Sequence, residues 1–199
     1  CGSLLTAYWM LNFIYAQSPT SIIAAIIISG ALWGYLCAHA DRRKWRFTNA
    51  LLLLAATLII LHTTLLSRTP GTYTAVLTPF AALAAARQQP ELYREMLMNV
   101  FLFFPLGLTM SNALPRKWHR WLRIALTALT SCVLSAGIEY AQYRFALGMA
   151  ETDDVICNTL GAFVGASSLL LAHAMEKHKE RPTTMTLTAT ETQFLHIAK

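Results

Sequence analysis

Charge is what this chain has least of. Asp, Glu, Lys and Arg make up 13% of its 199 residues, against about 25% in a soluble domain. The shortage is concentrated: Ser21 to Ala40 holds no such residue in twenty positions, and Ala50 to Ser67 none in eighteen. Roughly 20 apolar residues rising about 1.5 Å each cross a ~30 Å hydrocarbon core. A soluble helical bundle would carry polar stripes along these segments, and they have none. The composition predicts an all-α, polytopic membrane protein.

Other absences narrow the function. The four cysteines show no CxxC spacing. Cys37, Cys132 and Cys157 fall inside apolar blocks, where cysteine acts as a small packing residue. Cys1, standing where a Met would be expected, reads either as a truncated or processed start or as a lipid-bearing cysteine. The six histidines do not gather at ligand spacing, and neither a Gly-rich phosphate loop nor a nucleophile elbow occurs. No cofactor and no metal centre are expected. A net charge of +6 would suit nucleic acid. The basic residues, however, sit in short clusters between apolar blocks, which is a topology signal and argues against a nucleic-acid partner.

Six apolar blocks can be drawn, at 4–16, 21–40, 50–67, 97–114, 124–145 and 154–175, giving about five to six transmembrane helices. The chain divides into N-terminal membrane helices with a basic loop (1–49), a main membrane domain (50–175) and a polar, Thr-rich, disordered tail (176–199). With loops 41–49 and 116–123 and the tail on one side, that side carries twelve Lys/Arg and four Asp/Glu; the other carries four Lys/Arg and five Asp/Glu. The positive-inside rule then puts the first side, with the C-terminus, in the cytoplasm. Trp45, Trp118 and Trp121 lie in the same basic loops, as interfacial anchors do. Residues 73–86 are too apolar for a free loop and too short to span. They predict a re-entrant or interfacial half-helix, with Pro79 in its first turn and Gln88-Gln89-Pro90 ending it.

The polar residues that remain all map to the opposite leaflet. Arg68 ends one span and Asn99 lies near the outer end of the next, before Pro105 and Gly107; Pro105 predicts a kink. Glu139 lies about 22 Å along its helix from Ile124, and Gln142 shares its face. Asp154, Asn158, Gly161 and Gly165 fall within an arc of roughly 60° on the last helix, with Gly-x-x-x-Gly admitting a neighbouring backbone. Ionisable groups inside a membrane are costly, so Arg68, Asn99, Glu139, Gln142, Asp154 and Asn158 form a candidate ligand-binding set. The same residues also suit interhelical hydrogen bonding, and Asp153 suits a helix N-cap. A Ca²⁺ or Mg²⁺ site from Glu139, Asp154 and Asn158 would match the oxygen preference of hard cations, but no metal-loop spacing supports it.

Taken together, Arg68, Leu77-Thr-Pro79-Phe80, Asn99, Phe104-Pro105-Leu106-Gly107, Glu139-x-x-Gln142 and Asp153-Asp154-x-x-x-Asn158-x-x-Gly161-x-x-x-Gly165 resemble the VanZ-like family of membrane proteins, over about Thr64 to Leu170. Two departures stand out. Val76 occupies a position that is often Asn in the family, and 146–150 lacks the Arg often found before the acidic pair, with Arg144 the cation one turn earlier. The resemblance implies a small multi-pass protein of the bacterial cytoplasmic membrane. It also implies a link to antibiotic resistance, since the namesake is associated with resistance to teicoplanin, a lipid-tailed glycopeptide. The expected ligand is a membrane lipid, a lipid-linked cell-wall molecule or a lipoglycopeptide. An intramembrane enzyme acting on lipid-linked envelope substrates, a transporter and a purely structural role are the alternatives.

Overall fold

The computed structural model describes residues 18–71, 73–175 and 177. The expected block at 4–16, the readings of Cys1 and the disordered tail (except Lys177) lie outside the described residues. Five helices are long and apolar enough to cross a membrane: Pro19–His39, Lys44–Leu66, Glu91–Ala113, Arg120–Arg144 and Thr152–Met175. They correspond to the second to sixth blocks read from the sequence, and the protein is an all-α polytopic membrane protein.

Helix α1 (Pro19–His39) starts where Ser18 Oγ accepts the Ser21 amide and Pro19 needs no donor. Helix α2 (Arg42–Leu61) follows after only two residues, because Asp41 Oδ1 accepts the Lys44 amide and caps it. The cluster Arg42–Arg46 is therefore the first turn of a helix, not part of a 41–49 loop. The acidic cap offsets the unfavourable placement of cations at a helix N-terminus. A π-helical turn, His62–Leu66, continues α2.

The segment expected to be one half-helix is instead a strand and a short helix. Strand β1 (Thr74–Val76) precedes α3 (Ala81–Ala86). Pro79 lies in the turn before α3, and Phe80 takes a left-handed φ of 63°. The strand pairs in parallel with β2 (Met149–Glu151), Thr74 opposite Met149 and Val76 opposite Glu151. Parallel partners so distant in sequence leave no local pattern to read. Helix α4 (Pro90–Ala113) starts with Pro90 at its first turn, well before the expected Leu97, and runs through Pro105. Helix α5 (Arg120–Arg144) and helix α6 (Thr152–Ala166) complete the bundle; α6 resumes over 168–175 after Ser167.

The most extensive contact between elements among the described residues joins α4 to α6, and it is backbone against backbone. A Cβ placed on Gly161 would lie 2.1 Å from the Val100 carbonyl oxygen, one on Gly165 2.3 Å from that of Phe104, and one on Gly107 2.1 Å from that of Ala162. Around this seam, Ile60, Phe103, Leu106, Ile138 and Ala162 form a buried cluster. Helices α1 and α2 both pack on α4.

Gly161→Val therefore has no room, and rigid backbone cannot yield as a side chain would. It is expected to cost about 3 kcal/mol or more, read as a lower unfolding temperature in detergent. A Cβ at Gly137 meets nothing within 4 Å, so Gly137→Ala is expected to leave stability unchanged or to raise it by up to about 1 kcal/mol.

Candidate functional site

One end of the bundle gathers the acids. Three carboxylates there each hold a different element. Asp153, buried at the start of α6, accepts the amides of Phe80 (2.5 Å) and Ala82 (2.7 Å). It therefore caps α3 across the fold, an attachment that the N-cap reading of its own helix does not contain. Asp154 Oδ1 accepts from Asn99 Nδ2 of α4 at 2.6 Å. Glu139 Oε2 accepts the Glu151 amide at 3.0 Å, which fixes the end of β2 to α5.

Arg68 completes this end. Gly148 has φ 152°, and a Cβ there would lie 2.5 Å from Arg68 Nη1. The guanidinium thus passes directly over the glycine, and it acts electrostatically on both Glu139 and Asp154. The Gly71 amide donates to the Ala146 carbonyl at 2.6 Å and ties the chain after Arg68 to the same loop. Gln142 and Asn158 are placed differently. Gln142 Nε2 donates to the Thr64 carbonyl at 3.0 Å, and Asn158 Nδ2 to Ser135 Oγ at 2.9 Å; both side chains are buried between helices.

Two cavities flank the carboxylates and divide the candidate set. A groove of about 550 Å³ runs between α1, α2 and α4. Ala55, Ile59, Leu102 and Leu108 are among its walls, Trp33 contributes from α1, and Arg68 and Asn99, with Thr63 and Thr64, line it towards the end near the carboxylates. From Leu52 to Arg68 it extends about 24 Å at 1.5 Å per residue. A second hollow of about 450 Å³ is lined by Glu139, Glu151, Tyr140, Tyr143 and Leu77. Among the described residues, no group of three or more His, Cys, Asp or Glu could hold a metal ion.

A family model described as VanZ/LLP1 matches residues 47–173. The chain belongs to the VanZ/LLP1 family. It is also 36% identical over 89 residues to Protein VanZ of Enterococcus faecium, an alignment covering 45% of this chain and 48% of the relative. The chain thus spans about half the length of the curated relative it matches. No solved structure matches it.

The two departures from the VanZ pattern have a structural setting. Val76 pairs in register with Glu151. The 146–150 stretch, without an arginine, supplies Gly148 and the first residues of β2, and the guanidinium beside the carboxylates is that of Arg68. Arg144 is exposed and lies over the Phe145 ring, 5.9 Å from its centroid.

Sequence reasoning missed one feature of α5. Arg123, Thr127, Ser131, Ser135 and Glu139 recur every four residues and are all buried, so a polar stripe runs along this helix from its basic end to Glu139. A count at four-residue spacing finds the stripe; the hydropathy of the block does not, because Ser and Thr carry little weight in it. Ser131 Oγ and Asn158 Oδ1 are buried with no hydrogen-bond partner.

Two outcomes follow. Asp153→Ala removes the acceptor for Phe80 and Ala82, so hydrogen exchange at those two amides is expected to speed up by about 10- to 100-fold, at roughly 1.5–3 kcal/mol for a bond to a charged group. The Glu151 carboxyl is held above its ordinary range by burial first, then by Asp153 and Glu95. A raised carboxyl binds its proton more tightly folded than unfolded, so its contribution falls as pH rises from about 4.3 through the folded value. Glu151→Gln is expected to raise the unfolding temperature at alkaline pH and to change it little near the unfolded pKa.

Proposed function

We propose that this protein binds an amphiphilic molecule of the bacterial envelope, with an acyl chain along the α1–α2–α4 groove and an anionic or hydrogen-bonding head at Arg68 and Asn99. The observation that carries the reading is the groove itself: a long apolar trough whose mouth bears a guanidinium and an amide. Its volume falls in the usual range of small-molecule sites, about 300–1,000 Å³. Guanidinium suits phosphate or carboxylate, which it can grip through two donors.

The basic end of the bundle, with the C-terminus, faces the cytoplasm in this reading, which puts Arg68 in the outer leaflet of the cytoplasmic membrane. Charge asymmetry between the two ends supports that orientation. A lipid, a lipid-linked wall precursor and a lipoglycopeptide all share the required chemistry. Kinship with Protein VanZ makes a role in resistance to teicoplanin-type glycopeptides the favoured physiological setting. Gln142 and Asn158 serve this site by holding α5 to α2 and α6, and the Asp154–Asn99 pair orients the amide at the mouth.

An enzymatic reading has its own observation, the Glu139 and Glu151 carboxyls in a shared hollow. It requires product formation from a lipid-linked substrate by the purified protein, abolished in Glu139→Gln.

Native mass spectrometry of gently extracted protein tests the binding proposal. The wild type is expected to carry a co-purified lipid-like adduct, and Arg68→Ala to lose it by roughly tenfold, as for a charge-assisted contact of about 1.4 kcal/mol or more. An adduct of the same mass and occupancy in Arg68→Ala and in Ile59→Trp, which fills the trough, would refute it.

A further inference from the structure

The opposite end of the bundle holds a second cavity, of about 350 Å³, formed where α1, α4, α5 and the resumed turns of α6 converge. Its lining includes Arg116, Arg120, Arg123, His119 and His173 and, among the described residues, no carboxylate. Arg116 and Arg120 contribute to the charge asymmetry between the two ends, and Arg123 begins the buried stripe of α5. The cavity gives all three a shared surface.

Arg123 is the informative member. It is 6% exposed, yet among the described residues its hydrogen-bond partner is a single carbonyl, that of Ser111, reached by Nε at 2.9 Å and Nη2 at 2.5 Å. A guanidinium carries five donors, and burying such a charge without a counter-charge is costly. Arg116 reaches the Cys37 carbonyl, at 3.4 Å. Helix α5 opens on the same cavity through His119 and Arg120, and no side chain caps it. Its free first-turn amides and positive dipole end add to the arginine charge. Asn112 contributes a polar wall, while Leu169, Ala172 and Trp118 line the apolar remainder. Guanidinium groups at a helix N-terminus suit an oxyanion, and in a cleft with an apolar flank at the end of membrane-spanning helices the source at hand is the phosphate in the head of an anionic lipid.

We propose that this cavity is a phosphate-binding site for the headgroup of an anionic phospholipid in the leaflet at the basic end, distinct from the Arg68 groove at the other end. Three arginines with no acid among the described lining residues repel one another, and a phosphodiester between them would relieve that repulsion.

The full chain in phosphatidylcholine nanodiscs with a minority of phosphatidylglycerol, released for native mass spectrometry, is expected to retain phosphatidylglycerol over phosphatidylcholine by roughly tenfold or more. Arg116→Gln/Arg120→Gln, which leaves buried Arg123 in place, is expected to abolish most of that preference. Lys117→Gln/Lys177→Gln removes the same charge from exposed residues outside the lining and is expected to keep it. Arg120→Gln alone, expected to give an intermediate loss, decides the matter if the double variant does not fold. Inorganic phosphate is the second arm. Protection against thermal unfolding by phosphate and not by chloride of equal ionic strength, lost in the arginine variants and without any lipid preference, supports the phosphate site and assigns it to a soluble anion. Equal losses in the arginine and lysine variants, or no response to either probe, would overturn the proposal.

Discussion

The rest of the fold depends on how closely α4 and α6 approach. Hydrophobic burial gives little net drive between helices that already lie in hydrocarbon, so association rests on close packing and on polar contacts. Gly107, Gly161 and Gly165 remove the side chains that would hold the two backbones apart. The carbonyls of Val100, Phe104 and Ala162 then come within reach of the facing α-carbons, where weak Cα–H···O contacts add to dispersion. Every other piece of the bundle is arranged on this pair: α1 and α2 lie against α4, and α5 lies against α6.

The seam also fixes the depth of the polar groups. Asn158 lies one turn from Gly161, and Asp154 one turn further, so the register set by the glycines carries Asp154 to Asn99 on the other helix. Glu139, on α5, is brought to the same level through the Asn158–Ser135 bond. Two of the three carboxylates then reach outward and attach segments that do not span: Asp153 holds α3 and Glu139 holds β2. The small parallel sheet has little core of its own, and Tyr73, Leu77 and Phe80 beside it are exposed. Its position is therefore set by charge-assisted bonds to the spans more than by burial.

This division explains what was legible in the sequence. The spans were, because lipid requires long uncharged runs, and they came within a few residues of the observed helices. The larger errors lay at the ends, where an Asp41 cap or a Pro90 first turn extends a helix into charged sequence that hydropathy excludes. Arg68, Asn99, Glu139 and Asp154 could be picked out because each is costly in an apolar run. What no single position disclosed was pairing. Nothing in Thr74-Ala75-Val76 points to Met149-Ala150-Glu151, and nothing in Gly148 shows that it makes way for Arg68. The basic cavity was hidden for a related reason: its arginines suited the topology rule so well that their convergence in space went unread.

Helices α1 and α2 are joined by a two-residue link and bring the rings of Trp33 and Trp45 to 5.2 Å between centroids, tilted by 48°. Trp45 Nε1 donates to Cys37 Sγ, and Cys37 Sγ donates to Asn112, so one small network fastens both helices to α4 at the basic end. Beyond Trp33 the two helices lean on α4 and leave the trough between them. Its walls are apolar along most of their length, and Arg68, Asn99, Thr63 and Thr64 cluster towards the end near the carboxylates. On the proposed reading, an acyl tail would lie along the apolar walls of these membrane-spanning helices while the head stays at the depth that Arg68 and Asn99 define. A wholly polar ligand would match only that one end of the trough.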